Sequence, residues 1–134
     1  MQRKKLKITI SHMCRPKKNS QQIIFNNRTH RPMIIQSKQY REFEELCAIY
    51  LKPVAKEIKK PIDYPINLRC TFYFPDKRRR DTVNMLEAIQ DILVKYKILE
   101  DDNYNIVASL DGTKSVYEKG REETIIEIEE IEDV

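Results

Sequence analysis

The chain has 134 residues, of which 40% are hydrophobic and 34% are charged, and its formal net charge is +4. This length predicts a single domain over residues 1–134 with one modest core, and the sequence has no run of about 18 apolar residues to span a membrane. The N-terminal sequence MQRKKLKITI is basic but lacks the apolar segment of a signal peptide, so we expect a cytoplasmic protein.

The charge is distributed unevenly along the chain. Residues 121–134 contain seven acidic residues and one basic residue, so residues 1–120 carry +10 against +4 for the whole chain. A body this basic favours a polyanionic partner, although general solubility would explain the charge alone.

The cysteines, Cys14, Cys47 and Cys70, match neither a disulfide framework nor a zinc motif, which predicts reduced thiols of which some are buried.

Short strands are predicted in the N-terminal third, followed by a long helix. Residues 6–11 (LKITIS) alternate like a half-buried strand, and residues 15–20 (RPKKNS) form a basic loop. The runs QQIIFNN and RPMIIQS flank a turn and predict a β-hairpin. Ser37 stands at the N-cap position of a helix predicted over residues 38–60, which Pro53 is expected to kink or end.

The second half contains the clearest strand and the clearest amphipathic helix. Residues 66–74 (INLRCTFYF) are rich in β-branched and aromatic residues, and a helix over about residues 82–97 carries an apolar stripe. Residues 103–110 and 124–131 predict two further strands, the last an edge strand with glutamates facing solvent, and Asp111-Gly112 predicts a turn. The sum is an α+β domain with a small mixed β-sheet and two principal helices.

Four consecutive cations stand directly before the second helix: Lys77, Arg78, Arg79 and Arg80, here called the basic run. They join a core strand to a core helix, so both elements fix their position and they can present charge to successive phosphates. Asp81 follows in the first turn, where the unpaired N–H groups favour a carboxylate. Asp81 is therefore expected to be the N-cap, a role that is compatible with binding a metal ion.

A second acidic cluster, Glu100, Asp101 and Asp102, follows the other end of the same helix. Such a cluster alone is most often a loop. If the tertiary fold brings this loop back beside the helix start, the carboxylates would offer the hard oxygen ligands that Mg²⁺-dependent phosphodiester cleavage requires. The spacing alone does not show whether the two clusters meet.

The segment PDKRRRDTVNMLEAIQDILVKYKILEDDNYNIV resembles the core of the RusA-type Holliday-junction resolvases. Their pattern is a basic run, then Asp-x-Asp-Asn opening a helix, then a hydrophobic helix ending in Asp-Asp before a strand. Asp81, Asn84, Asp91, Asp101 and Asp102 fall into that pattern without a gap. Upstream, RPKKNS and RPMIIQSKQYREFEE resemble the family's N-terminal loop and the opening of its first helix.

The resemblance implies a homodimeric α+β nuclease that resolves four-way DNA junctions in recombination and repair. It implies Mg²⁺ or Mn²⁺ as cofactor, no organic cofactor, and a gene that phages often carry. Carried over by position, the catalytic acids are Asp81, Asp102 and their neighbour Asp101, and the metal ligands are these three and Asn84. The basic run, with Lys17 and Lys18 of the N-terminal loop, is expected to bind the DNA.

Two positions depart from the family pattern. Val83 stands where the pattern has its second aspartate, and Glu87 stands where a functional lysine is common. Asn84 or Glu87 would then supply the missing ligand, or the site would be weak or inactive. The alternative is therefore a non-catalytic protein that binds branched DNA through the same face. A third reading, an interaction protein with an acidic tail, fits less well because residues 121–134 alternate like a strand.

Overall fold

The computed structural model of the protein describes residues 4–17 and 21–132. Within these residues, two helices and seven strands follow one another in chain order. Their bounds are β1 Lys5–Ile10, β2 Gln21–Asn26, β3 Arg31–Gln36, α1 Lys38–Ile58, β4 Ile66–Phe74, α2 Thr82–Lys95, β5 Val107–Ser109, β6 Lys114–Tyr117 and β7 Glu123–Glu130. The predicted α+β class, a mixed sheet with two principal helices, is confirmed.

The main sheet has the strand order β1-β7-β4-β5, and β6 lies beside the far end of β4. β7 runs antiparallel to both β1 and β4. β5 and β6 run parallel to β4, β5 along its first residues and β6 along Thr71 to Phe74. β2 and β3 form a separate antiparallel pair, so the predicted hairpin is confirmed.

The prediction that the last strand lies at a sheet edge is wrong, because β7 lies between β1 and β4. Its glutamates face away from the core, where the neighbouring strands supply cations. Arg69 of β4 donates to both carboxylate oxygens of Glu127 at 3.2 and 2.7 Å, and Lys5 of β1 lies 3.9 Å from Glu129. An antiparallel sheet can keep one face in solvent, so the alternating pattern predicts the two faces of the strand and not its neighbours.

α1 starts where the sequence predicts and continues past its proline. The hydroxyl of Ser37 accepts the N–H of Tyr40 at 3.3 Å, which confirms the N-cap. The helix predicted over residues 38–60 is confirmed as Lys38–Ile58, and of the two effects expected of Pro53, to kink or to end the helix, an end at the proline does not occur. Proline lacks the N–H that would bond the carbonyl of Ile49. Ile49 is 69% exposed, so water can satisfy that carbonyl.

α2 runs from the end of β4 back toward its start. Its buried residues are Met85, Leu86, Ala88, Ile89, Ile92 and Leu93. After the helix, the N–H of Ile62 donates to the carbonyl of Ile98 at 2.9 Å, and the N–H of Glu100 donates to the carbonyl of Ile62 at 3.0 Å. The chain that follows α2 therefore lies near the start of β4, while the basic run lies at its end.

The segment after α2 is less regular than the sequence predicts. Residues 103–110 are predicted as one strand, but only Val107–Ser109 is a strand. The cause is a turn in which the carbonyl of Asn103 accepts the N–H groups of Ile106 and Val107 at 3.0 and 2.8 Å. The Asp111-Gly112 turn is confirmed, whereas the short strand β6 is not predicted.

The core also contains the cysteines. Cys14, Cys47 and Cys70 are all buried and unpaired, in agreement with the prediction from their spacing. Burial raises the pKa of the Cys47 and Cys70 thiols to about 12, so both stay protonated and unreactive at neutral pH. Within residues 4–17 and 21–132, neither helix combines the length and the apolar character needed to cross a membrane.

Candidate metal centre and nucleic-acid interface

Asp81 caps the helix that follows the basic run. Its Oδ1 accepts the backbone N–H groups of Val83 and Asn84 at 2.9 and 3.3 Å. These bonds satisfy two of the unpaired donors at the start of α2, which confirms the predicted capping role. The cap uses Oδ1 alone, and Asp81 is exposed to solvent. The second carboxylate oxygen is therefore not needed for the cap.

The side chain of Arg80 in the basic run is largely covered by its neighbours. It is only 14% exposed and donates to Oδ1 of Asp76 at 2.8 Å. The guanidinium lies 4.5 Å from the ring centroid of Phe74, and one of its nitrogens is 3.5 Å from the sulfur of Met13. The hydrogen bond from Arg80 is also the main reason that the pKa of Asp76 is lowered. These contacts fix the loop between β4 and α2.

The other three cations of the basic run are exposed. The ammonium of Lys77 lies 5.2 Å from the ring centroid of Tyr117. The side chain of Arg78 is 84% exposed, with its Nε 3.8 Å from the carboxylate of Asp76. Arg79 lines a shallow depression together with Arg80, Asp81 and Thr82. The basic run thus consists of one structural arginine and three cations that solvent can reach.

Asp101 and Asp102, here called the acidic pair, lie beyond the other end of α2. Oδ1 of Asp101 accepts the backbone N–H of Asp102 at 2.7 Å. The pKa of Asp102 is raised, first by partial desolvation and then by the carboxyl of Asp101, with a smaller effect from Asp91. Two adjacent carboxylates of this kind suit a divalent cation, which offsets their repulsion.

The length of α2 separates Asp81 from the acidic pair. A helix of 14 residues is about 20 Å long at ~1.5 Å per residue. Thr82 bonds to β6 beside the end of β4, whereas Glu100 bonds to Ile62 before the start of β4. The described part of the chain holds no group of three or more His, Cys, Asp or Glu side chains arranged to bind a metal ion. Within one chain, the two acidic clusters do not meet.

The remaining predicted ligand and the substituted positions lie on α2. Asn84 is half-buried, and its N–H is bonded to Asp81, so it belongs to the start of the helix rather than to the acidic pair. Val83 is 70% exposed and contributes nothing to the core. Glu87 lies one turn further along and is half-buried. The structure therefore brings Asn84 and Asp81 together and leaves the acidic pair apart from them.

The N-terminal loop reaches α2 through an ion pair. Nζ of Lys17 lies 3.1 Å from Oδ2 of Asp91, and each side chain is 35% exposed. A phosphate would have to compete with Asp91 for this ammonium. Lys18, which is predicted to bind DNA with Lys17, lies outside the described residues.

Sequence reasoning missed the contacts that β6 makes with the basic run and with the start of α2. Oγ of Ser115 lies 2.7 Å from Oγ1 of Thr82, the first residue of α2, and Tyr117 lies under Lys77. The sequence TKSVY gives a weak strand signal because the run is short and begins directly after a turn.

Comparison with known proteins identifies the class to which this α+β chain, with its basic run and its acidic pair, belongs. Residues 13–129 match the family Endodeoxyribonuclease RusA, and the chain belongs to this family. Over 67 residues it is 36% identical to the crossover junction endodeoxyribonuclease RusA of Aquifex aeolicus (strain VF5). The aligned segment covers 50% of this chain and 51% of that relative, so the similarity spans about half the length of each protein.

Proposed function

We propose that this protein is a single-domain endodeoxyribonuclease that depends on Mg²⁺ or Mn²⁺ and resolves four-way DNA junctions in recombination and repair. Membership of the RusA family over residues 13–129 supports the nuclease class. Similarity to a crossover junction enzyme supports a branched DNA substrate. The observation that carries the proposal is that α2 has exposed cations before its start and a carboxylate pair after its end.

The exposed cations are proposed to bind the DNA backbone. Lys77, Arg78 and Arg79 occupy consecutive positions on a loop that Arg80 anchors to the core. An anchored loop loses little conformational entropy on binding, and each arginine can donate two hydrogen bonds to one phosphate. These residues would hold the DNA backbone beside Asp81, at the start of α2.

The acidic pair is proposed to provide the main metal ligands. Mg²⁺ is usually held by one or two carboxylates, with waters and substrate phosphate oxygens completing its shell, and Asp101 and Asp102 fit that requirement. When bound, the ion would supply an activated water and stabilise the leaving oxygen. The protein side chains would fix the ion's position, and the exposed cations would orient the phosphate.

We also propose a homodimer in which each site is shared. Asp81 and the acidic pair lie at opposite ends of a helix that is about 20 Å long, which is too far for one ion. A two-fold axis can place the start of α2 from one copy beside the end of α2 from the other. The same axis would give two sites on one basic face, as paired cutting of a four-way junction requires.

The direct test is incubation with an end-labelled four-way junction, with and without Mg²⁺ or Mn²⁺. Paired nicks that require the metal are expected, and a linear duplex of the same arm sequence, used as control, should stay intact. A junction that is shifted in a native gel but uncut under all metal conditions would contradict the proposal. That outcome would support the non-catalytic alternative, which the loss of an aspartate at Val83 suggested.

A further inference from the structure

β6 and the turn after it lie directly beside the basic run. Ser115 and Tyr117 of β6 pair with Phe72 and Phe74 of β4. Because side chains alternate along a strand, Ser115 and Tyr117 share the face on which α2 packs. The hydroxyl contact between Ser115 and Thr82 is consistent with this orientation. β6 therefore borders the loop that presents the exposed cations.

The turn after β6 brings another cation to this surface. The N–H of Glu118 donates to the carbonyl of Phe74 at 3.1 Å, and the N–H of Gly120 donates to the carbonyl of Pro75 at 3.2 Å. Lys119 lies between these two bonded residues and is exposed. Its backbone is thus fixed next to the segment from which the basic run departs.

Two carboxylates on the segments that border this surface, Glu118 and Asp76, are already paired with arginines. Glu118 accepts from Arg121 at 2.8 Å, and Arg121 also donates to Glu123 at 2.6 Å. On the other side, Asp76 accepts from Arg80 at 2.8 Å. Among the residues that the structure describes, Lys119 forms no ion pair, so its ammonium is available to an anion in solution.

Tyr117 gives one cation of the basic run a defined position. Lys77 extends over its ring with the ammonium 5.2 Å from the centroid, and the ring is 48% exposed. A cation over an aromatic face is attracted by the ring quadrupole without losing its hydrogen-bond donors. Lys77 can therefore stay on Tyr117 while it donates to a phosphate.

We propose that β6 and its following turn form the second side of the DNA-contacting surface. Lys119 binds a backbone phosphate, and Tyr117 positions Lys77 for another. The inference rests on the proposed function only for the nature of the anion, the phosphodiester backbone of DNA. It adds Tyr117 and Lys119 to the interface, and it assigns Arg80, whose side chain is 14% exposed and bonded to Asp76, to holding the loop rather than to a phosphate contact.

The test for Lys119 measures binding to a linear duplex as a function of salt, without metal, so that cleavage plays no part. Lys119→Ala should reduce the slope of log affinity against log salt by roughly 0.9, the value of one phosphate contact. Lys114→Ala is the matched control, because Lys114 is an exposed lysine on β6 that pairs with Thr71 on the opposite face. An unchanged slope for Lys119→Ala, or an equal loss for Lys114→Ala, would overturn the role of Lys119.

The test for Tyr117 compares two substitutions. Tyr117→Phe keeps an aromatic face and should keep the parent slope and affinity, whereas Tyr117→Leu should weaken duplex binding several-fold. Lys77→Met should abolish the difference between the Phe and Leu variants, which a purely structural role of Tyr117 would not do. If Tyr117→Phe and Tyr117→Leu bind DNA with equal affinity while Lys77 is intact, the positioning role of Tyr117 is refuted. Failure of the parent to cut junctions would refute the proposed function and leave both binding results intact.

Discussion

Asp102 is the residue on which the proposed chemistry depends most. Asp102→Asn keeps the size of the side chain but replaces a charged oxygen ligand with a poorer, neutral one. We expect junction cleavage to fall by roughly 100-fold or more, because stabilisation by the metal is worth several kcal/mol. Junction binding should persist or tighten, because a negative charge facing the phosphates is removed. Single-turnover cleavage and a gel-shift titration measure the two effects.

The control for that experiment is Glu45→Gln, which removes an exposed carboxylate from α1. It should leave cleavage unchanged. If Asp102→Asn cuts junctions as fast as the parent at the same metal concentration, the acidic pair is not the metal site.

Neighbouring arginines of the basic run should behave differently. Arg79→Ala removes an exposed cation and should lower the salt slope of DNA binding by roughly 0.9, with the free energy of unfolding unchanged within about 0.5 kcal/mol. Arg80→Ala removes a side chain that is 14% exposed and packed over Phe74. Its free energy of unfolding should fall by about 1–2 kcal/mol. Denaturant titration measures stability, and salt-dependent binding measures the phosphate contacts. If the two variants change stability and salt slope equally, the separate roles of Arg79 and Arg80 are contradicted.

At the scale of the element, we expect the start of α2 to accept a further acidic residue. Val83 is 70% exposed in the first turn, where the helix dipole favours a negative charge. Val83→Asp should therefore raise the free energy of unfolding by about 0.3–1 kcal/mol, while Val83→Asn should change it less. If the missing aspartate limits the enzyme, the Asp variant should also cut junctions faster or at lower metal concentration. A loss of stability in Val83→Asp would show that the residue packs against a surface, such as a partner subunit.

The pairing of β4 with β7 predicts a pH dependence. The hydrogen bond from Arg69 lowers the pKa of Glu127 below its usual value of 4.5. A lowered pKa contributes stability above the unfolded value, and that contribution is lost as the pH falls through the folded value. The free energy of unfolding of the parent should therefore exceed that of Glu127→Gln by up to about 1 kcal/mol near pH 7. The difference should disappear once the pH falls below the pKa of Glu127 in the folded protein. A difference that persists at pH 2 would refute the electrostatic explanation.

The sequence predicts those elements that are specified by residues adjacent in the chain rather than by contacts with other strands or helices. The β-branched run of β4, the apolar stripe of α2, and the caps at Ser37 and Asp81 were predicted because each depends on adjacent residues. The position of β7 inside the sheet was not predicted, because alternation specifies faces and not strand order. β6 was missed because a strand of four residues gains its stability from pairing with β4, which a local pattern does not show.

At the scale of the molecule, the sequence gives the residues of the candidate site but not their distances. Charge pattern singled out the basic run, Asp81 and the cluster Glu100, Asp101 and Asp102, and the resemblance to the RusA-type resolvases supplied their expected roles. Their separation by about 20 Å follows from an intact helix between them, which the spacing alone did not decide. On the proposed function, a metal site that combines Asp81 with the acidic pair would therefore need a second copy of the chain.

The sharing of sites between subunits gives the most direct test of this account. Asp81→Asn and Asp102→Asn should each be inactive on an end-labelled four-way junction with Mg²⁺, while the parent makes paired nicks. In a mixture of the two variants whose subunits exchange freely, each mixed dimer keeps one site made of an intact Asp81 and an intact Asp102. The mixture should therefore nick single strands at about a quarter of the parent rate, since half of the dimers are mixed and each has one working site. A mixture as inactive as either variant alone, beside an active parent, would contradict the shared site, and an uncut junction with the parent would contradict the proposed function itself.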